Sequence, residues 1–425
     1  LKKVLIITYY WPPAGGPGVQ RWLKFVKYLP EFGIEPIVYI PENPTYPILD
    51  GAFAKDVSPH LTIIKKRIFE PYGFASMFYK NKVKKMSAGI IPNSNKQRFS
   101  EKIALWVRGN LFIPDARVFW VKPSVRFLEK YIQEHAIDTI ITTGPPHSLH
   151  LIGIKLQQRL NVKWVADFRD PWTTIGYQKD LKLSKYSEFK HKRLERKVLR
   201  SADQVIVTSQ TTKADFARIT GKPIEIITNG FDQEKVVTGV LDEKFSLAHI
   251  GSLLSERNPA FLWQTLSELV NEVPGFGDHL ELKLIGTLSP EVLESIRLYQ
   301  LEEFLNNLGY VTHDEAIAQQ RSSQVLLLIE INSLHTRSII PGKLFEYIVS
   351  GRPIVAIGPN GSDFAEIIES TSTGIFIDYA GKELLKRTIL ALYESYLEGS
   401  LTVEPVGLDQ YSRRNLTRKL SELLT

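Results

Sequence analysis

Val4-Leu5-Ile6-Ile7-Thr8-Tyr9-Tyr10 is an apolar run closed by the turn-rich Trp11-Pro12-Pro13-Ala14-Gly15-Gly16-Pro17-Gly18. Val19, Trp22, Leu23, Val26 and Leu29 then recur at helical spacing, Gly33 follows, and Ile37-Val38-Tyr39-Ile40 is a second apolar run. Apolar residues three and four apart mark one face of a helix, whereas short continuous runs bounded by turns suit strands buried on both faces. Strand, glycine loop, helix and strand form a βαβ unit, which predicts a parallel sheet with a right-handed crossover. Gly16-Pro17-Gly18 invites a dinucleotide reading, but Pro17 lacks a donor and Arg21 holds the third glycine position. A glycine loop approaching another ligand's phosphate or sugar hydroxyls is the better expectation.

The rhythm returns at Thr139-Ile140-Ile141-Thr142-Thr143, followed by Gly144-Pro145-Pro146-His147 and a helix over about 148–160. Lys163-Trp164-Val165-Ala166 leads into the loop Asp167-Phe168-Arg169-Asp170-Pro171-Trp172. A helix at about 184–200, the strand 204–208, a helix capped by Ser209 and the strand 224–227 complete a first series. A polar stretch at 232–245 reads as a linker. A second series starts at Ser246-Leu247-Ala248-His249-Ile250-Gly251, with strands at 282–286, 307–311, 325–329, 354–357 and 374–377. Helices are predicted over about 259–270, 290–299, 313–321 and 381–398, and an amphipathic helix over 411–424 ends the chain. The fold class is therefore α/β, with two doubly wound, Rossmann-like domains and a cleft between their sheet ends.

Within the second series, Pro341-Gly342-Lys343-Leu344-Phe345-Glu346-Tyr347-Ile348-Val349-Ser350-Gly351-Arg352-Pro353 reads as a short helix stopped by Gly351. Free N–H groups at its start beside Lys343 would attract an anion, and Glu346 one turn on would accept hydrogen bonds from vicinal hydroxyls. Phosphate plus diol describes a nucleotide. Arg257, after Gly251-Ser252-Leu253, is a second cation near a glycine turn. Two such cations can neutralise a leaving diphosphate without a metal. In the first series, Asp167, Arg169 and Asp170 either brace a turn as an Arg–Asp pair or bind sugar hydroxyls beside an oxocarbenium-like centre.

Composition narrows the alternatives. The 425 residues contain no cysteine, which removes disulfides, thiolate metal sites and thiol nucleophiles and fits a reducing cytoplasm. His147 and His150 lie three apart without a carboxylate at ligand spacing, and there is no Asp-x-Asp, Walker loop or nucleophile elbow, so no metal and no cofactor are expected. No run reaches the ~18 apolar residues of a spanning helix, and the start leads into a strand rather than a signal peptide. The net charge of +7 is concentrated: residues 61–130 carry 15 Lys/Arg against four acids, leaving −4 for the rest. Interleaved aromatics such as Phe69, Tyr72, Phe78, Trp106 and Phe119 suit an anionic membrane surface. A solvated basic insertion and a nucleic-acid surface are the other readings, and nucleic acid is not the expected partner. Residues 41–120 otherwise read as loop-rich, with helical patches at 76–86 and 99–110.

Taken together these segments resemble the family-four type of retaining, nucleotide-sugar-dependent glycosyltransferases with the GT-B fold. The resemblance spans almost the whole chain and rests on Gly15-Gly16-Pro17-Gly18-Val19-Gln20-Arg21, Ser201–Ser209, Ile227-Thr228-Asn229-Gly230-Phe231-Asp232, Ile250-Gly251-Ser252-Leu253 and Gly342–Tyr347 with Ser350–Ile354. It implies an N-terminal acceptor-side domain at 1–236 and a C-terminal nucleotide-sugar-binding domain at 237–407, with the helix at 408–425 packing back on the first. The implied donor set is Gly16, Gly251, Ser252, Arg257, Gly342, Lys343, Leu344 and Glu346, with Glu346 on the ribose and Gly16 near the transferred sugar. Gly15, Gly18, Arg21 and Trp172 fall on the acceptor side, and Asp170, Arg169 and His147 at the catalytic centre.

Three departures stand out. Ser338 occupies the position of the family's first glutamate, Ser252 that of a phosphate-binding arginine, and Arg169 that of a histidine. An Arg-Asp pair at that last place resembles a branch acting in cell-surface polysaccharide or lipid-linked sugar assembly. The expected activity is retaining transfer from a nucleotide diphosphate sugar to a glycan or polyprenyl-linked acceptor, in the cytoplasm and peripherally at the membrane's inner face. A nucleotide-sugar 2-epimerase of the same fold and a non-catalytic sugar- or partner-binding relative are the alternatives.

Overall fold

The computed structural model describes residues 1–70, 99–176, 181–232 and 240–425. It divides into two units, one of residues 1–229 with 413–425 and one of residues 230–412. The 236/237 boundary, half of the 232–245 linker, the 76–86 patch and Tyr72 and Phe78 lie outside the described residues.

The first unit is built on seven strands, β1 (Lys2–Ile7), β2 (Ile34–Pro41), β3 (Thr62–Lys66), β4 (Thr139–Gly144), β5 (Lys163–Phe168), β6 (Gln204–Val207) and β7 (Ile224–Ile226). All pair in parallel, in the order β3-β2-β1-β4-β5-β6-β7. Alternation along β1 explains its continuous apolar run. Val4 and Ile6 join one core with Trp22, Leu23 and Val26, while Leu5 and Ile7 join the core on the other face with Trp120 and Leu149. Helix α1 (Pro17–Tyr28) starts on Pro17, whose fixed φ suits a first turn, after Gly16 at φ +104°. The other described helices are α2 (Phe99–Leu111), α3 (Val118–Glu134), α4 (Ser148–Leu160), α5 (Lys185–Ser201) and α6 (Gln210–Ala217). Ser209 caps α6 by accepting from Thr212 N–H.

The final helix, Arg413–Leu424, belongs to this unit. Leu416, Leu420 and Leu424 complete the core around Trp22 and Leu23, each buried leucine contributing roughly 1.5–3 kcal/mol. Lys2 Nζ fastens the helix end by donating to Leu424 O at 2.7 Å.

The second unit holds β8 (Phe245–Ile250), β9 (Leu280–Ile285), β10 (Leu305–Gly309), β11 (Val325–Ile329), β12 (Ile354–Gly358) and β13 (Gly374–Asp378), also parallel, in the order β10-β9-β8-β11-β12-β13. Its helices are α7 (Ala260–Glu272), α8 (Pro290–Leu298), α9 (His313–Ser322), α10 (Leu344–Tyr347), α11 (Asp363–Ser370) and α12 (Lys382–Leu397), with a single turn at Phe276–His279. Leu247 and Leu327 face one core, and Ala248, Leu326 and Leu328 the other. Both sheets are therefore parallel and covered on both faces, the doubly wound arrangement expected from the sequence.

β3 and α11 are additions to the sequence reading. β3 is an edge strand with Lys65 and Lys66 exposed, a charged edge that suppresses pairing with other chains and hides the strand's apolar signal.

Candidate functional site

In each sheet the strand order reverses once, between β1 and β4 in the first unit and between β8 and β11 in the second. Loops leaving the carboxyl ends of such neighbours diverge and open a crevice where α/β sheets receive ligands.

In the second unit, β8 is followed directly by Gly251, which adopts φ +124°. A Cβ there would lie 3.3 Å from Lys343 Nζ, so glycine serves both the turn and the close approach of the lysine. Lys343 Nζ donates to Ile250 O at 3.0 Å and lies 3.2 Å from His249 Nε2. His249 Nδ1 faces Leu327 O at 3.1 Å. A carbonyl only accepts, so Nδ1 carries the proton and Nε2 accepts from Lys343. Burial, then the nearby Lys343 charge, holds His249 well below the usual histidine range, so the ring is neutral. Burial and then Arg257 also lower the Lys343 ammonium, to about 7, against the pull of Glu330 and Glu346. Near neutral pH the lysine is thus balanced between its two protonation states, and an arriving anion favours the ammonium.

Arg257 follows in the turn Ser255–Arg257 and chelates Glu330, with Nε at 3.2 Å and Nη2 at 3.1 Å from Oε1. The Glu330 side chain is 1% exposed, also accepts from Ile331 N–H at 2.8 Å, and follows β11 directly. Tyr379 OH donates to Glu330 O at 2.7 Å. Glu346 is half-buried, accepts from Gln320 Nε2 at 3.0 Å and has His313 Nε2 at 3.9 Å. Tyr347 fixes α10 against the end of β8, its hydroxyl accepting from Ile250 N–H at 3.0 Å.

The structure thus brings Gly251, Arg257 and Lys343 together, with Glu346 further along the Lys343 segment. It also shows why two expectations need revision. Leu344 is fully buried in the apolar core beneath the site, so its side chain anchors α10 and does not face a ligand. The free N–H groups expected at the start of α10 are partly spent, since Leu344 N–H donates to Pro341 O at 3.0 Å. Ser252 is exposed and Gly342 half-buried. His249, Glu330, Tyr379 and Gln320 were not found by sequence reasoning. A lone histidine in an apolar strand and a single glutamate after one are the only signals, and neither has a telling spacing.

In the first unit Asp167, fully buried, accepts from Arg21 Nη2 at 2.9 Å, Trp22 Nε1 at 2.8 Å and Thr143 Oγ1 at 2.8 Å. Arg21 Nη1 donates to Thr228 O at 2.7 Å. Arg21, expected on the acceptor side, is therefore a buried brace between α1 and the strand ends. Arg169 donates through Nε to Gly144 O at 3.3 Å and through Nη2 to Pro145 O. A Cβ at Gly18 would overlap Arg169 Nη1, so that glycine makes room for the guanidinium. Gly15 N–H donates to Ile48 O at 3.0 Å. Gly16 caps α1 here, while the other donor-side candidates belong to the second unit.

His147 is stacked on Trp172 with ring centroids 4.9 Å apart, and neither of its ring nitrogens has a hydrogen-bond partner among the described residues. Burial, then His150 and Arg169, holds it neutral. Trp172 is buried and donates through Nε1 to His191 Nδ1 at 3.1 Å, so it supports His147 rather than lining a surface. Asp170 is half-buried, and burial raises its carboxyl against the pull of Arg169. The Arg169–Asp170 pair and His147 thus gather around Gly144 and Pro145.

The family model described as Glycosyltransferase Family 4 matches residues 90–235. Among solved structures, sucrose-phosphate synthase from Thermosynechococcus elongatus aligns over 100% of this chain and 98% of its own, at 14% identity and TM-score 0.59. HepE from Anabaena, solved with UDP, aligns over 100% and 99%, at 14% identity and TM-score 0.62. The chain has the GT-B fold. The lipopolysaccharide outer core galactosyltransferase WaaB aligns over 100% and 99%, at 12% identity and TM-score 0.59. A search of curated proteins found no match. The resemblance read from the sequence thus stands at the level of fold, and at the level of family across residues 90–235.

Proposed function

We propose that this GT-B protein transfers a sugar, with retention at the anomeric carbon, from a nucleotide diphosphate donor to a hydroxyl of a glycan or lipid-linked acceptor in cell-surface polysaccharide assembly. The observation that carries this reading is Lys343 packed against the Gly251 turn, with Arg257 close enough to repel its charge, at the strand-order reversal of the second unit. Cations held in place before the reaction stabilise a departing diphosphate without reorganisation. Glu346, already accepting one hydrogen bond, takes the ribose hydroxyls. The likeness to HepE solved with UDP and to WaaB supports a nucleotide donor and a cell-surface product.

In this mechanism the acceptor hydroxyl attacks the anomeric carbon on the face the diphosphate is leaving. The leaving phosphate oxygen takes the acceptor proton, and neither a metal nor a side-chain base is required. The first unit receives the acceptor, with Arg169 and Asp170 at the carboxyl end of β5 meeting sugar hydroxyls. A thermal-shift screen of nucleotide sugars tests the donor reading, since a ligand at one hundred times its Kd stabilises by about 2.7 kcal/mol. A stabilising donor that is converted without any acceptor would identify an epimerase instead.

No helix among the described residues is long and apolar enough to cross a membrane. We assign the 61–130 segment to peripheral docking on the inner, cytoplasmic face. Phe69, Phe119 and Leu111 are exposed there, and Phe119 packs edge-on against Phe69 and Phe112. Arg117 is excluded from that surface, being buried against Glu70 at 3.1 Å and Tyr9 OH at 3.1 Å. Charge reversal at Lys82, Lys84 and Lys85 is expected to weaken co-sedimentation with anionic liposomes by roughly 1 kcal/mol per residue, about fivefold each. Unchanged sedimentation would count against docking.

A further inference from the structure

We propose that Glu330 is a positioning residue of the donor site: its buried carboxylate clamps Arg257 and supplies the fixed negative charge that lets Lys343 remain a cation beside it. This rests on the donor reading above and deepens it. Glu330 is the only carboxylate that contacts Arg257 among the hydrogen bonds described, and three N–H···O distances of 3.1–3.3 Å join the two groups. The clamp uses Arg257 Nε and Nη2, which leaves Nη1 unclaimed by Glu330 and able to meet a phosphate oxygen. A carboxylate with 1% exposure is not there to serve solvent, and its Oε1 also accepts from Ile331 N–H. Tyr379, just after β13, holds the Glu330 backbone, so the residue is also tied to the neighbouring segment.

The charge balance gives Glu330 its role. Lys343 is faced by neutral His249 from β8, by Arg257 from the turn after β8, by Glu330 from the end of β11 and by Glu346 from its own segment. Arg257 disfavours the ammonium, whereas Glu330 and Glu346 favour it. Without Glu330, two cations would share a desolvated site with one half-buried carboxylate, and the lysine would shed its proton more readily. A purely structural ion pair would hold Arg257 but leave the protonation of Lys343 unchanged.

Diphosphate binding draws a proton onto Lys343, so affinity is full below the free lysine's pKa and falls about tenfold per pH unit above it until the bound pKa is reached. The experiment is calorimetric titration of UDP, GDP, ADP, CDP and dTDP into the full-length protein between pH 6 and 9. Wild type is expected to begin losing affinity near pH 7, and Glu330→Gln to begin at a lower pH. At pH 8 the variant should therefore fall several-fold further below its own acid plateau than wild type does. Titration of the nucleotide's own terminal phosphate is common to both proteins and cancels. The same onset in both would overturn the assignment. If Glu330→Gln does not fold, Arg257→Gln tests the same charge balance in reverse. With the carboxylate left facing Lys343, the onset should move to higher pH, and an unmoved onset would again overturn the proposal. If wild type binds none of the five nucleotides, the donor reading itself fails instead.

Discussion

Asp167→Ala is expected to lower the stability of the first unit by about 3–5 kcal/mol, the cost of breaking a buried ion pair by removing one partner. The loss comes chiefly from what remains. Arg21, buried on the inner side of α1, keeps its charge without a counter-ion, and Trp22 Nε1 and Thr143 Oγ1 each lose an acceptor. Guanidinium unfolding followed by tryptophan fluorescence measures it, and a change below about 0.5 kcal/mol, the scale of an ordinary surface substitution, would show that Asp167 is not the brace. The pH dependence has a definite sign. Burial alone would raise the Asp167 carboxyl, but Arg21 and the hydrogen bonds from Arg21 and Thr143 hold it below its ordinary 3.8. Its contribution is therefore fully present above that ordinary value and is lost as pH falls through the lower folded one. Acid unfolding of Asp167→Ala should lose this component of its pH dependence.

Lys343→Met should reduce turnover about 100- to 1,000-fold, the usual cost of removing one preorganised group that meets charge developing in the transition state. Methionine retains much of the stem's volume, so packing at the Gly251 turn is disturbed little while the ammonium is removed. The hydrogen bond to Ile250 O and the contact with His249 are lost with it, but Tyr347 still ties the segment to β8. Steady-state kinetics with the donor identified by thermal shift measures the effect. A variant with wild-type kcat would remove Lys343 from the mechanism.

Much of the fold was legible because parallel strands buried on both faces leave continuous apolar runs. Val325–Ile329 could be read without reference to its neighbours. β3 was not legible, because an edge strand has one partner and carries exposed lysines. Residues 363–370 were passed over although Phe364, Ile367 and Ile368 lie at helical spacing and are buried. Eight residues give that pattern barely two turns in which to repeat.

The site was legible in its cations and opaque in what holds them. Lys343 and Arg257 sit beside glycine turns, which is a local signal. His249 meets Lys343 across 94 residues and Glu330 meets Arg257 across 73, separations closed by the β8–β11 pairing and the packing of α10 on the end of β8. Arg21, Trp172 and Leu344 mark the opposite limit. Their positions in informative loops were readable, but the direction of each side chain, inward in all three, is decided by packing.

The central claim is that Lys343 and Arg257 hold the donor's diphosphate in the second unit. Its most direct test is calorimetric titration of the nucleoside diphosphate that stabilises the protein most into wild type, Lys343→Met and Asp170→Asn at pH 6.5. The prediction is at least tenfold weaker binding by Lys343→Met, with Asp170→Asn binding as wild type does. Equal affinity in Lys343→Met and wild type, or a loss confined to Asp170→Asn, would contradict it.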